Sequence, residues 1–256
     1  MCPRLREGLA TSQDRAFLLG RAEYREADLI VTLFTETSGV VSALARSARR
    51  SRRRFGGALE PLHTLEVELA GARRGELAVL SSATIVRPRF GLLQEVARLH
   101  AAGRALGWVR HCVAPRTPEV ALWGALSSSL DRLEEAATAE VHGAVLATFG
   151  FILLAELGWG LEFHRCVRCG RECPAQRPSA VSPSAGGVVC SACGGARTLI
   201  SARTRQRLVL LAQGDSSPDL DHAEMQIAIT LVEETLRAHA GFEGAHRSSA
   251  PSTGHD

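Results

Sequence analysis

The chain contains no lysine: all 30 of its basic residues are arginine. A P-loop, a Schiff-base lysine and a kinase phosphate lysine each need a primary amine, so those enzyme classes are excluded. Codon bias in a GC-rich genome is the bland reading of the missing lysines, yet their absence leaves every basic contact a forked donor suited to phosphate. Aromatics are scarce too, with three Trp, one Tyr and eight Phe. No apolar run reaches the roughly 18 residues of a membrane span. The first residues carry Arg4 and Arg6 without the apolar core of a secretory signal. The expected location is the cytoplasm, where disulfides are rare and clustered cysteines point toward metal binding.

What is present is the composition of an ordinary soluble protein, with 256 residues of which 45% are apolar and 22% charged. That length suits two or three units. The net charge of +3 hides an asymmetry. Residues 1–87 hold 14 Arg against 10 Asp and Glu, and residues 88–256 hold 16 against 17. Within the basic part, Arg46, Arg49, Arg50, Arg52, Arg53 and Arg54 place six positive charges in nine residues with no acid among them.

From Ala16 to Arg87 the sequence reads as five short strands: 16–22, 27–35, 40–46, 63–70 and 77–86. Leu65, Val67 and Leu69 alternate with Glu66 and Glu68, one face apolar and one charged. In the second strand Leu29, Val31 and Leu33 oppose Ile30, Thr32 and Phe34, as expected of a strand covered on both sides. Thr37-Ser38-Gly39 and the run Gly71 to Gly75 supply turns of hairpin length. Five strands with one longer basic connection predict a small closed barrel of the OB type.

After Pro88 the period changes to about 3.6, with Leu92, Val96, Leu99, Leu106 and Val113 on one helical face. Further helices are predicted over 119–136 and 140–157, the latter apolar on all sides and so central to the core. Met225, Ile229, Val232 and Leu236 mark a last amphipathic helix. Phe163 to Thr198 is rich in Cys, Gly, Pro and Arg without helical period, and reads as an inserted module. The predicted class is therefore α+β: a flexible N-terminus (1–13), an OB-type barrel (14–87), a helical domain in two parts (88–162 and 199–243), the insert (163–198) and a disordered tail (244–256).

The insert holds two Cys-x-x-Cys-Gly hooks, Cys166 with Cys169 and Cys190 with Cys193. Two thiolates two residues apart can grip one metal ion from a tight turn, and two such hooks complete a tetrahedral set. Four thiolates leave no open position, which predicts one structural zinc per chain holding together a piece too poor in apolar residues to fold alone. A redox dithiol would need one pair on a βαβ scaffold. Cys173 and His164 lie near enough to replace a ligand but lack the paired spacing.

Several guanidinium groups on one loop can track a phosphate backbone without reading bases. A solvated charge run is the bland reading of the six arginines. Their place on a barrel loop favours nucleic acid, with Phe34, Phe55 or Tyr24 as candidate stacking partners. Signs of catalysis are poor. Gly214-Asp215-Ser216 is similar to one esterase motif but reads as a loop, the nine His residues follow no metal spacing, and Glu134-Glu135 and Glu233-Glu234 fall on exposed helix faces. No enzyme activity is expected.

The stretch from Arg21 through Tyr24, Arg25 and Glu26 to Leu33, then Gly39, then the arginine loop running into Phe55-Gly-Gly-Ala-Leu-Glu-Pro61, resembles the start of the bacterial recombination mediator RecO family. The order of barrel, helical domain and four-cysteine insert agrees over nearly the whole chain. The resemblance implies a nucleoid-associated protein that binds single- and double-stranded DNA and anneals complementary strands. It also implies that, with RecR, the protein helps RecA replace single-stranded DNA-binding protein, whose C-terminal tail it would meet. It puts DNA contact on Arg46, Arg49, Arg50, Arg52, Arg53 and Arg54, and metal on the four paired cysteines. Positions usually lysine in that loop are arginine here. The rival reading is a zinc-ribbon transcription or RNA-binding factor recognising nucleic acid through Arg165, Arg168, Arg171 and Arg177.

Overall fold

A computed structural model describes residues 11–71, 77–215 and 219–242 of the chain, without the side chains of Arg52 and Ala139. The 71–75 turn in large part, Ser216 and the tail therefore lie outside the described residues, as does most of the N-terminal stretch. The chain divides into two compact units, 1–99 with 113–135 and 100–112 with 136–256. No helix among the described residues is long and apolar enough to cross a membrane.

The first unit is built on β1 (Thr11–Tyr24), β2 (Asp28–Thr35), β3 (Gly39–Ala45), β4 (Thr64–Ala70) and β5 (Ala78–Arg87), closed in the order β1-β2-β3-β5-β4. β1 starts inside the stretch expected to precede the barrel. It serves two partners: residues 11–17 pair with β4 and residues 16–24 with β2, and an irregularity between Leu18 and Gly20 bends it from one sheet edge to the other. Closure comes from β3 running parallel to β5, with Ala43 opposite Ala78. Alternation decides what fills the interior: Leu18, Leu29, Val31, Leu33, Leu65, Val67 and Leu80 meet there, nearly free of solvent. A one-turn helix, α1 (Arg52–Phe55), sits between β3 and β4 and sends Phe55 into the same core.

The Phe34 end of the outward face of β2 is covered by Trp123 of α3 (Val120–Glu135), which belongs to this unit, while Ile30 and Thr32 stay half-buried. Trp123 packs against Phe17 at 5.1 Å and donates its indole N–H to the Phe34 carbonyl at 3.2 Å, so the two apolar faces of β2 have two different covers. The approach is close at Gly39, where φ is +70° and a Cβ would stand 2.0 Å from the Thr117 carbonyl oxygen. Only glycine fits there.

The second unit holds α2 (Val96–Cys112) from residue 100 on, with α4 (Ala139–Glu156), α5 (Ala202–Ala212) and α6 (His222–Ala240). α4 is buried from Val145 to Leu154 apart from the half-buried Ile152, close to what its apolar run predicts. Trp108 lies parallel to Phe149 at 6.5 Å, and the Arg104 guanidinium sits over Trp108 while bonding Glu233 at 2.7 Å. The face expected for α2 is partly wrong: Val96 is 83% exposed and Leu99 41%. Leu92 belongs to a preceding 3-10 turn, which shifts the phase, and the buried α2 face is Ala101, Ala102, Ala105, Leu106, Trp108 and Val109. A stripe of alanines buries as well as leucine when a neighbour approaches closely, but it is faint in a hydrophobic pattern. The insert carries a three-stranded sheet of β6 (Ser179–Ser182), β7 (Gly187–Val188) and β8 (Thr198–Ile200) in the order β7-β6-β8.

Candidate nucleic-acid and metal sites

The paired spacing brings the two hooks together. The sulfurs of Cys166, Cys169, Cys190 and Cys193 all lie within 4.8 Å of one another, with Cys169 and Cys190 at 3.7 Å. Each hook is a tight turn closed by its glycine: Gly170 donates to the Cys166 carbonyl at 2.8 Å and Gly194 to the Ser191 carbonyl at 3.0 Å, with φ of +70° and +96°. Arg168 of the first hook donates to the Cys193 carbonyl of the second at 2.7 Å. An ion about 2.3 Å from four tetrahedral sulfurs needs them about 3.8 Å apart, so the donor set fits zinc. Four thiols this close share protons unevenly. Cys166 is held down at about 6, first by the Cys190 N–H donating to its sulfur at 3.4 Å, while hydrogen bonding to Cys169 and Cys190 pushes Cys193 up to about 12. Cys173 and His164 stand outside the cluster, tied to each other by the Cys173 N–H on the His164 carbonyl at 2.8 Å.

Behind the insert, the buried Arg205 of α5 donates to Ser179 Oγ at 2.5 Å and to the Pro174 carbonyl. Sequence patterning missed both α5 and this anchor, because arginines at 203, 205 and 207 break the apolar period. The signal available was Ser201, whose hydroxyl caps the helix by accepting from the Thr204 N–H at 3.0 Å.

The arginine run leaves β3 and is tethered to the β1–β2 turn. Asp28 accepts the Ser47 N–H at 2.7 Å, and the Ala27 carbonyl accepts the Arg49 N–H at 3.1 Å. Side chains repeat the tether: Arg49 reaches Glu23 at 3.4 Å and the Glu26 carbonyl at 3.4 Å, and Arg50 reaches Glu26 at 3.7 Å. Arg54 is fixed within the loop, donating to the Arg46 carbonyl at 2.7 Å with its guanidinium over Phe55 at 5.2 Å. The exposed side chains of Arg46 and Arg53 have no hydrogen-bond or ion-pair partner among the described residues.

The five arginines of the run whose side chains are described thus divide by role, which their sequence did not reveal. Phe34 and Phe55, 0% and 2% exposed, are core and cannot stack on bases. Tyr24 is 39% exposed, with the Arg25 guanidinium 5.2 Å from its ring centre. Below the loop lies a cleft of about 450 Å³ lined by Arg21, Glu23, Leu29, Arg49, Phe55 and Glu60, among others. Arg21, on its rim, donates to the Leu59 carbonyl at 2.6 Å and to Glu60 at 2.5 Å.

Two family models account for most of the chain: recombination protein O N terminal matches residues 9–89, and recombination protein O C terminal matches residues 93–247. Proteins named DNA repair protein RecO are similar over most of their length. That of Anaeromyxobacter dehalogenans is 36% identical over 208 residues, covering 78% of this chain and 80% of its own. That of Geobacter sulfurreducens is 37% identical over 189 residues, 74% and 75%. That of Rubrobacter xylanophilus is 32% identical over 185 residues, 72% of each. A five-stranded closed barrel, a following helical unit with a four-cysteine insert, and these matches agree: the chain belongs to the RecO family of DNA repair and recombination proteins.

Proposed function

We propose that the chain is a non-catalytic recombination mediator that binds single- and double-stranded DNA through its arginine loop and anneals complementary strands. With RecR it would help RecA replace single-stranded DNA-binding protein, in the cytoplasm and at the nucleoid. The observation that carries this reading is the loop itself: six guanidinium groups on a connection held to a closed barrel, with Arg46 and Arg53 open to a ligand. Forked donors on a fixed loop suit a continuous phosphate backbone, and backbone contact needs no base code. One zinc would sit on Cys166, Cys169, Cys190 and Cys193, where it supplies a crosslink that keeps the insert folded.

The zinc-ribbon reading is the weaker one because two arginines of the insert are already engaged. Arg168 holds the Cys193 carbonyl, and Arg165 pairs with Glu172 at 3.3 Å. The decisive experiment measures DNA affinity across a salt series for the wild type and for Arg46→Ala with Arg53→Ala. The expected result is weaker binding for every sequence, with a duplex salt slope shallower by up to about 0.9 per lost contact. An unchanged slope rejects the loop, and annealing that needs ATP rejects the mediator.

A further inference from the structure

We infer that the cleft below the arginine loop receives one unstacked base of a DNA single strand, an assignment that rests on the DNA-binding reading above. The cleft is about 450 Å³, inside the roughly 300–1,000 Å³ range of small-molecule sites. Its floor is apolar: Leu29, Phe55 and Leu59 present carbon there, each less than a tenth exposed. Its rim carries two guanidinium groups and two carboxylates, from Arg21, Arg49, Glu23 and Glu60.

That balance argues for a base and against a phosphate. Two acids beside two arginines leave little net positive potential, and Arg21 is already paired with Glu60 and Arg49 with Glu23. The same groups suit a planar heterocycle. A guanidinium held flat by its hydrogen bonds offers a stacking plane, and a carboxylate accepts from a ring N–H or an exocyclic amino group. Phosphates of the strand have separate partners in Arg46 and Arg53 on the same loop, so base and backbone are met by different parts of one connection. A duplex keeps its bases stacked and paired, hence the cleft adds affinity only for single strands. Neither the loop's charge nor its sequence distinguishes the two forms of DNA; the cleft does.

The test compares two single strands of equal length and charge binding to the full chain, one of thymidines and one of abasic spacers. The base-bearing strand should bind at least about fivefold more tightly, as expected for one base against a platform. The salt slopes should match, because the phosphates are the same. Ser51→Trp places an indole at the cleft rim and should equalise the two strands. Ser51 also accepts the Arg54 N–H at 3.4 Å, so a loss of duplex affinity would mean a disturbed loop. The decision then falls to the wild type irradiated with a strand carrying 5-iododeoxyuridine. Adducts within residues 21–29 or 48–60 support the cleft, and adducts only elsewhere overturn it. Equal binding of both strands by the wild type, or a difference that persists in a well-folded Ser51→Trp, also overturns the cleft. Absence of all DNA binding would overturn the DNA-binding reading itself.

Discussion

The Arg89 side chain is wholly buried, and its Nε donates to Asp131 Oδ1 at 2.8 Å, joining the end of β5 to α3. Its other nitrogens are also occupied, by the Leu62 carbonyl at 3.2 Å, Thr64 Oγ1 at 2.9 Å and Ser127 Oγ at 3.1 Å, and the guanidinium lies 5.5 Å from the Phe17 ring centre. A buried cation is tolerable only when every donor is met and a counter-charge is near. Asp131→Asn keeps the shape and removes the counter-charge. The expected cost is about 3 kcal/mol, the low end for breaking a buried pair at one partner, because the Asp131 side chain is 34% exposed. Urea unfolding of the first unit checks it. Arg89→Met, which removes the charge altogether, should cost less than Arg89→Ala, which also opens a cavity.

The same clamp makes the barrel sensitive to acid. His63 is buried and accepts the Arg89 N–H on Nδ1 at 3.0 Å, so the ring must be neutral to serve. Burial, then the charge of Arg89, lowers its pKa from the ordinary 6.5. A histidine with a depressed folded value binds fewer protons folded than unfolded. Stability is therefore full above pH 6.5 and falls as the pH drops from there toward the folded pKa. Thermal melts of the wild type should show this slope between about pH 6.5 and 5, and His63→Gln should lose it. A wild-type melt that is flat over that range would contradict the assignment.

These residues also show where the sequence was legible and where it was not. Leu65, Val67 and Leu69 announced their strand because a half-buried strand needs alternation, and the hooks announced the cluster because a four-thiolate site needs paired spacing. Arg89 gave no such sign. A buried arginine is identified by its acceptors, and Leu62 and Thr64 on one segment, Ser127 and Asp131 on another, all lie more than 20 residues away in the chain. α1 was hidden for a related reason: four residues of a basic run have no period, and only Phe55, set among arginines and followed by Gly56 and Gly57, marks where the loop turns into the core. The division of the described arginines is equally non-local, since Glu23 and Glu26 near another turn decide which of them are paired.

Those acids predict a gain of function. Glu23 and Glu26 occupy Arg49 and Arg50 in the free protein, in pairs so exposed that each contributes at most about 1 kcal/mol to stability. A phosphate strand must compete with the carboxylates for the same donors. Glu23→Gln with Glu26→Gln should tighten DNA binding and steepen the duplex salt slope, by up to about 0.9 for each arginine released. The melting temperature should hardly move. Unchanged affinity and slope would mean that Arg49 and Arg50 take no part in contact.

Metal removal should act on one part of the protein. If one zinc bridges the two hooks, purified chain carries about one equivalent, and Cys169→Ser loses it while Cys173→Ser, outside the cluster, keeps it. A strong chelator should then melt the insert, since β6, β7 and β8 have two to four residues each and little apolar cover of their own. Arg205, which bonds Ser179 and Pro174, should be left with exposed acceptors and α5 should fray. The barrel core has no residue in this region, so its hydrogen-exchange protection should persist and duplex binding by the loop with it. Hydrogen exchange with and without chelator separates the outcomes. Protection lost across 163–212 alone supports a structural metal, and protection unchanged there in metal-free chain rules it out.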